Sequence, residues 1–147
     1  MEIKESNIAI IHDWFLSKSL GGSEKVTFLL DKLLINNYTK PDIFAITSNI
    51  HKIEKDLFKG RKINTSLIQS LPFGKNHVQK FLPLLPFAIE QIDLSKYDLI
   101  ISSSHAIAKG VLTSPYQLHI SYVHTPMRYA WDQMNTYLKE ASISKFG

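Results

Sequence analysis

Asn7 to His12 is an aliphatic run bounded by polar residues, the pattern of a strand buried on both faces of a sheet. From Ser23 to about Asn36 the apolar residues Val26, Leu29, Leu30, Leu33 and Leu34 recur at helical spacing and predict one buried helix face. Asn36-Asn37 and Pro41 end that helix. Asp42 to Thr47, with Ile43, Phe44, Ala45 and Ile46, predicts a second short strand. A strand, a crossover helix and a strand imply a parallel pair joined by a right-handed connection.

The stretch from Asn49 to Gly74 is less regular. It predicts a short helix near Ile53 to Phe58 and a strand near Asn64 to Ile68, and Pro72 and Gly74 then break the pattern. A helix is expected from Asn76 towards Leu82, while Pro83 and Pro86 exclude one straight helix through Leu82 to Phe87. Asp98 to Ser102 reads as a strand, followed by a helix start or tight turn at Ser103-Ser104-His105. His119 to Val123 reads as another, ending at His124-Thr125-Pro126. A last helix is predicted from near Met127, carrying Tyr129, Trp131 and Tyr137. The expected fold class is therefore α/β, a Rossmann-like, mostly parallel sheet with helices on both faces.

Size and composition narrow the chemistry. A chain of 147 residues is expected to form one domain with a real core. It has no cysteine, which excludes disulfides, thiolate metal sites and cysteine nucleophiles. Met1-Glu2-Ile3-Lys4-Glu5 is acidic where a secretory start is basic, and no apolar stretch approaches the ~20 residues of a membrane span, so a cytoplasmic setting is expected. The net charge of +4 is unevenly placed. Residues 51–80 carry Lys52, Lys55, Lys59, Arg61, Lys62, Lys75 and Lys80 against Glu54 and Asp56, a local +5, which leaves −1 for the rest. Cations interleaved with apolar residues over 51–81 read either as a contact for an anionic membrane surface or lipid-diphosphate acceptor, or as a solvated loop with buried anchors. The near-neutral remainder and the lack of a recognised binding motif argue against nucleic acid.

Candidate ligand contacts fall at strand ends, where parallel α/β sheets bind their ligands. Gly21-Gly22 follows the first strand and opens the helix, so backbone N–H groups there can face an anion, or the pair is a plain tight turn. Glu24 competes with such an anion unless its carboxylate faces away from the cleft. His12 and Asp13 end the first strand and are candidates to touch acceptor hydroxyls. His105, after three serines, is equally readable as part of an N-cap cluster. His124 is a candidate sugar contact, or a histidine that caps the next helix or bonds to backbone. Six scattered histidines without metal-ligand spacing argue against a metal site.

Four segments then resemble one family. They are the loop ending Gly21-Gly22-Ser23-Glu24, the run from Tyr97 to Gly110, Tyr122-Val123-His124-Thr125-Pro126, and Met127-Arg128-Tyr129-Ala130-Trp131-Asp132. In this order they resemble the N-terminal, acceptor-side domain of family 4 retaining glycosyltransferases of GT-B fold. The run from His124 to Asp132 looks most like bacterial mannosyltransferases of O-antigen and surface polysaccharides. The resemblance spans nearly all of residues 1–147 and implies transfer of a sugar, with GDP-mannose the expected donor, to a lipid-linked or polysaccharide acceptor without metal or other cofactor. It implies that Gly21 and Gly22 lie beside the donor diphosphate and that His124, the catalytic candidate, approaches the donor sugar. Ser103, Lys109 and Arg128 lie in matched segments as possible sugar or acceptor contacts. Family members also carry a second, nucleotide-sugar-binding domain that this sequence lacks, so the chain is expected to be inactive alone. The alternative is a non-catalytic recruiting subunit of a split transferase at the membrane surface.

Overall fold

A computed structural model describes residues 6–16, 21–50 and 58–125. Five strands form one all-parallel sheet: β1 (Ile8–Phe15), β2 (Asp42–Ser48), β3 (Ile63–Thr65), β4 (Leu99–Ser104) and β5 (Leu118–Val123), in the order β3-β2-β1-β4-β5. β1 is central, pairing Ile10 with Ile43 on one side and Ile101 on the other. This is the α/β, Rossmann-like architecture that the alternating elements predict.

Alternation along the strands sends side chains to two cores. Ile8, Ile10, Ile43, Ala45, Leu99 and Ile101 pack on the face covered by helix α1 (Gly22–Asn37), with Leu34, Phe28 and Leu30. Ala9, Ile11, Phe44, Ile46 and Ile100 pack on the opposite face against Ile68, Val78 and the short helix α2 (Leu85–Glu90). Fully burying each aliphatic side chain contributes about 2 kcal/mol, so the central strands hold the sheet together. β5 is an edge strand whose Leu118, Ile120, Tyr122 and Val123 are each about half exposed.

The structure revises several boundaries. β1 continues through Asp13 and Trp14 to Phe15, because His12 and Trp14 pair with Ala45 and Thr47; the expected loop therefore starts later. The helix face differs more. Its buried residues are Thr27, Asp31 and Leu34, whereas Leu29 and Leu33 are 61% and 52% exposed. Two polar residues can occupy the buried face because each has a dedicated partner: Thr27 meets Ser103, and Asp31 forms an ion pair with Arg61. Arg61 also donates to Phe58 O at 3.0 Å and Pro41 O at 2.7 Å, which pins the turn before β3 to the helix and the start of β2.

β3 ends at Thr65, and a 3₁₀ turn over Leu67–Ser70 replaces the remainder of the expected strand. The helix expected from Asn76 is 3₁₀ over Val78–Leu84, irregular at Phe81, and becomes α2 at Leu85 with Pro86 in its first turn. Proline is tolerated there because first-turn N–H groups have no intrahelical acceptor. The helices expected near Ile53 and from Met127 fall on or run into residues outside those described.

Gly74 shows why the turn between these pieces is selective. A Cβ there would stand 1.9 Å from Ile68 O, a backbone atom that cannot swing away. At Gly22, the first residue of α1, a Cβ would meet nothing within 4 Å. Gly74→Ala is therefore expected to lower unfolding free energy by about 3 kcal/mol, while Gly22→Ala stays within about 0.5 kcal/mol of the parent. Urea denaturation of both variants checks this, and equal effects would contradict the close approach.

Candidate functional site

Because all five strands run parallel, their carboxyl ends share one rim, and most of the candidate residues lie along it. At its centre, Asp13 is fully buried in the last part of β1. Its Oδ2 accepts from the backbone N–H groups of His105 (2.6 Å) and Ala106 (2.9 Å). Its Oδ1 accepts from those of Ile107 and Ala108 (both 2.7 Å), and Ser104 Oγ adds a longer bond at 3.3 Å. Four consecutive N–H groups after β4 thus form a nest around one carboxylate. His105 Nδ1 sits 3.0 Å from Oδ2, an ion pair when the ring is protonated, and its ring stands edge-on to Trp14. Burial pushes the Asp13 carboxyl up, but the His105 ring and the nest outweigh it and hold the group well below the usual carboxylate range.

This corrects the expectation for Asp13 as an acceptor contact: both of its oxygens point inward and are occupied. His12 is also fully buried. Its Nδ1 lies 2.7 Å from Ser103 O, which can only accept, so Nδ1 carries the proton and the unpartnered, buried Nε2 is an acceptor. A surface contact of His12 with an acceptor hydroxyl is likewise excluded in this arrangement. Burial lowers the affinity of His12 for a second proton, against the opposing pull of Asp13.

His124, just past β5, is half-buried, and its Nε2 lies 2.8 Å from Ser103 Oγ. Thr27 Oγ1 in turn lies 2.9 Å from both Ser103 Oγ and Ser23 O. The proton count orients this path. Ser23 O only accepts, so Thr27 gives it its single proton and accepts from Ser103; Ser103 accordingly accepts from His124 Nε2–H. Nδ1 is left as the acceptor nitrogen of a neutral imidazole. Burial and the nearby His105 lower the His124 pKa, against Asp13 and Glu24. His124 is therefore joined through two hydroxyls to the first turn of α1, where the diglycine stands.

Gly21 is the N-cap of α1, extended at φ −73° and ψ −179°, with no side-chain cap. Glu24 does not face away. Its Oε2 accepts from Ser23 Oγ at 3.0 Å and lies 2.7 Å from where a Gly21 Cβ would stand, so the carboxylate folds back towards Gly21. Lys109 is exposed on the turn Ala108–Gly110, on the strand-end side of β4. Arg128 lies outside the described residues. Among the described residues, no three His, Asp or Glu side chains converge as a metal-binding group. Thr27 was missed from sequence; a lone threonine within a leucine-rich helical pattern was the available signal.

Comparisons with models of known protein families, with curated proteins and with solved structures find no match to this chain. No helix among the described residues is long and apolar enough to cross a membrane.

Two predictions follow from the rim. Asp13→Asn sets an amide N–H₂ among N–H donors and is expected to cost about 3 kcal/mol of stability, read by urea denaturation. A change under 1 kcal/mol would contradict the nest's importance. Second, burial depresses His12, His119 and His124 together. As pH falls below the ordinary value of 6.5, the unfolded chain takes up protons first. Stability is full above that pH and declines towards the folded-state values, by about 1.4 kcal/mol for each unit of depression. The melting temperature should fall between pH 7.5 and 5.5, and less so in His12→Asn, whose amide can donate to the same carbonyl. An equal fall in both proteins would remove His12 from the account.

Proposed function

We propose that this chain is the acceptor-side part of a metal-independent retaining glycosyltransferase. It would move a sugar, mannose on the family resemblance, from a nucleotide sugar such as GDP-mannose to a lipid-linked or polysaccharide acceptor. The observation that carries this reading is the hydrogen-bonded path from His124 through Ser103 and Thr27 to the diglycine end of α1. It brings together a neutral imidazole and an uncapped helix terminus, which suit a sugar hydroxyl and a diphosphate respectively.

The chemistry needs little else from this half. The bond from the anomeric carbon to the diphosphate oxygen breaks, and a bond to the acceptor oxygen forms on the same face. The departing phosphate takes the acceptor's proton. His124 Nδ1 would accept a hydrogen bond from a sugar hydroxyl and hold the ring in place, so it serves donor binding rather than proton abstraction. Backbone N–H groups at Gly21 and Gly22 would stabilise charge on the leaving diphosphate once Glu24 swings aside. Ser103 positions His124, and Lys109 is available to an anionic substrate group. A cytoplasmic, peripheral location at the inner membrane face suits these substrates.

A recruiting module at the membrane surface is the alternative reading. It is favoured by Phe73, Leu82, Leu84 and Phe87, all exposed, among Lys75 and Lys80 in a stretch, residues 58–89, that contains no acidic residue.

The two readings separate in a polypeptide joining this chain to the second Rossmann-like domain that the resemblance implies, assayed with radiolabelled GDP-mannose and a lipid-linked saccharide. His124→Ala is expected to lower kcat about 100-fold or more. Transfer equal to that of the parent would remove the proposed role, and no transfer by the parent would favour recruitment.

A further inference from the structure

A cavity opens along the outer edge of β3, from the turn before that strand to the carboxyl ends of β2 and β3. It encloses about 430 Å³ and is lined by Ser48 at the end of β2, Asn49 after it, Thr65 at the end of β3, Gln69, and the cations Lys62 and Lys75. β2 and β3 stand three and four strand positions from β5, so this cavity is well separated from His124.

Its cations differ in availability. Arg61 also reaches the cavity, but its guanidinium is committed to Asp31 and two backbone carbonyls. Lys62 and Lys75 are exposed, and neither forms an ion pair or hydrogen bond among the described residues. Among the described residues no acidic side chain lines the cavity.

The turns that present these lysines have committed backbones. Lys62 follows Lys59 and Gly60, both left-handed at φ 52° and 69°. Lys75 follows left-handed Phe73 at φ 64° and the close-packed Gly74. Between them the floor is fixed by Gln69, whose Oε1 accepts from Thr47 Oγ1 (2.6 Å) and Ser48 N (2.9 Å) while its Nε2 donates to Ser48 O (3.0 Å). Among the described residues the hydroxyls of Ser48 and Thr65 have no hydrogen-bond partner and can bond a ligand oxygen.

We propose that this cavity binds a phosphomonoester or diphosphate group, held between Lys62 and Lys75 and hydrogen-bonded by the Ser48 and Thr65 hydroxyls. Two unpaired cations over a polar floor select a compact dianion over a neutral sugar, whereas neutral ligands would leave both charges unmatched. A soluble phosphorylated molecule and a lipid headgroup both carry such a group; the chemistry at the cavity is the same. The site shares only the sheet's rim with the proposed transfer centre and does not depend on it.

Calorimetric titration of the 147-residue chain with inorganic pyrophosphate at fixed ionic strength tests this. A saturable binding phase is expected that weakens at least tenfold in the Lys62→Ala/Lys75→Ala double variant. A Lys25→Ala/Lys32→Ala double variant, which removes the same charge from the exposed side of α1, should weaken it less than twofold. Sedimentation with phosphatidylcholine vesicles, with and without phosphatidic acid, separates the sources. Uptake that requires phosphatidic acid and both pocket lysines identifies a headgroup, and pyrophosphate binding without such uptake identifies a soluble ligand. Absence of both kinds of binding, or equal weakening in the two double variants, would overturn the proposal. Melting temperatures matching the parent's confirm that the variants are folded, and the readout, being binding alone, leaves the transfer reading untouched by failure.

Discussion

The carboxylate of Asp13 lies at the carboxyl end of the central strand, out of reach of water, and is compensated by four backbone N–H groups from the segment after β4. A bare carboxylate in that position would cost several kcal/mol, and a bare run of N–H donors would also be unfavourable. Each removes the other's penalty. The consequence is geometric as much as energetic, because residues 105–108 are drawn back over the end of β1 instead of continuing away from the sheet. Ser103, Ser104 and His105 are thereby fixed relative to His12, and the rim acquires its shape from one buried charge.

The second element of order is the path of hydroxyls between β5 and α1. If the helix shifted by a turn, the buried Ser103 hydroxyl would lose Thr27 as the acceptor for its proton, so the bond between them helps set the helix's register on the sheet. Asp31 and Arg61 do the same one turn further along, joining the helix to the segment before β3. Apolar packing supplies most of the energy beneath α1, and these two polar contacts select which rotation of the helix is adopted.

The strands were legible in the sequence because parallel strands buried on both faces leave unbroken aliphatic runs, as in Ile8–Ile11 and Leu99–Ile101. The convergence of His124 and the diglycine on one rim was legible for the same reason, since parallel strands must end together. What sequence could not expose were partners distant along the chain. Asp13 meets residues 91 to 95 positions away, Thr27 meets one 76 away, and Asp31 one 30 away. Read locally, Thr27 and Asp31 belonged on the solvent side and Leu29 and Leu33 on the buried side. Segment 67–84 misled for a different reason: its prolines and close-packed Gly74 favour short 3₁₀ turns, whose period of three carries no clear hydrophobic signature.

The position of Glu24 has a consequence for how the diglycine terminus meets any ligand. The Glu24 carboxylate stands beside Gly21, so an anion arriving at the helix end meets a resident negative charge. Occupation there becomes an exchange of one negative group for another, with little net change in local charge. Selectivity then rests on which group better fills the shape around Gly21, and ionic strength, which governs simple attraction, has correspondingly little hold on the outcome.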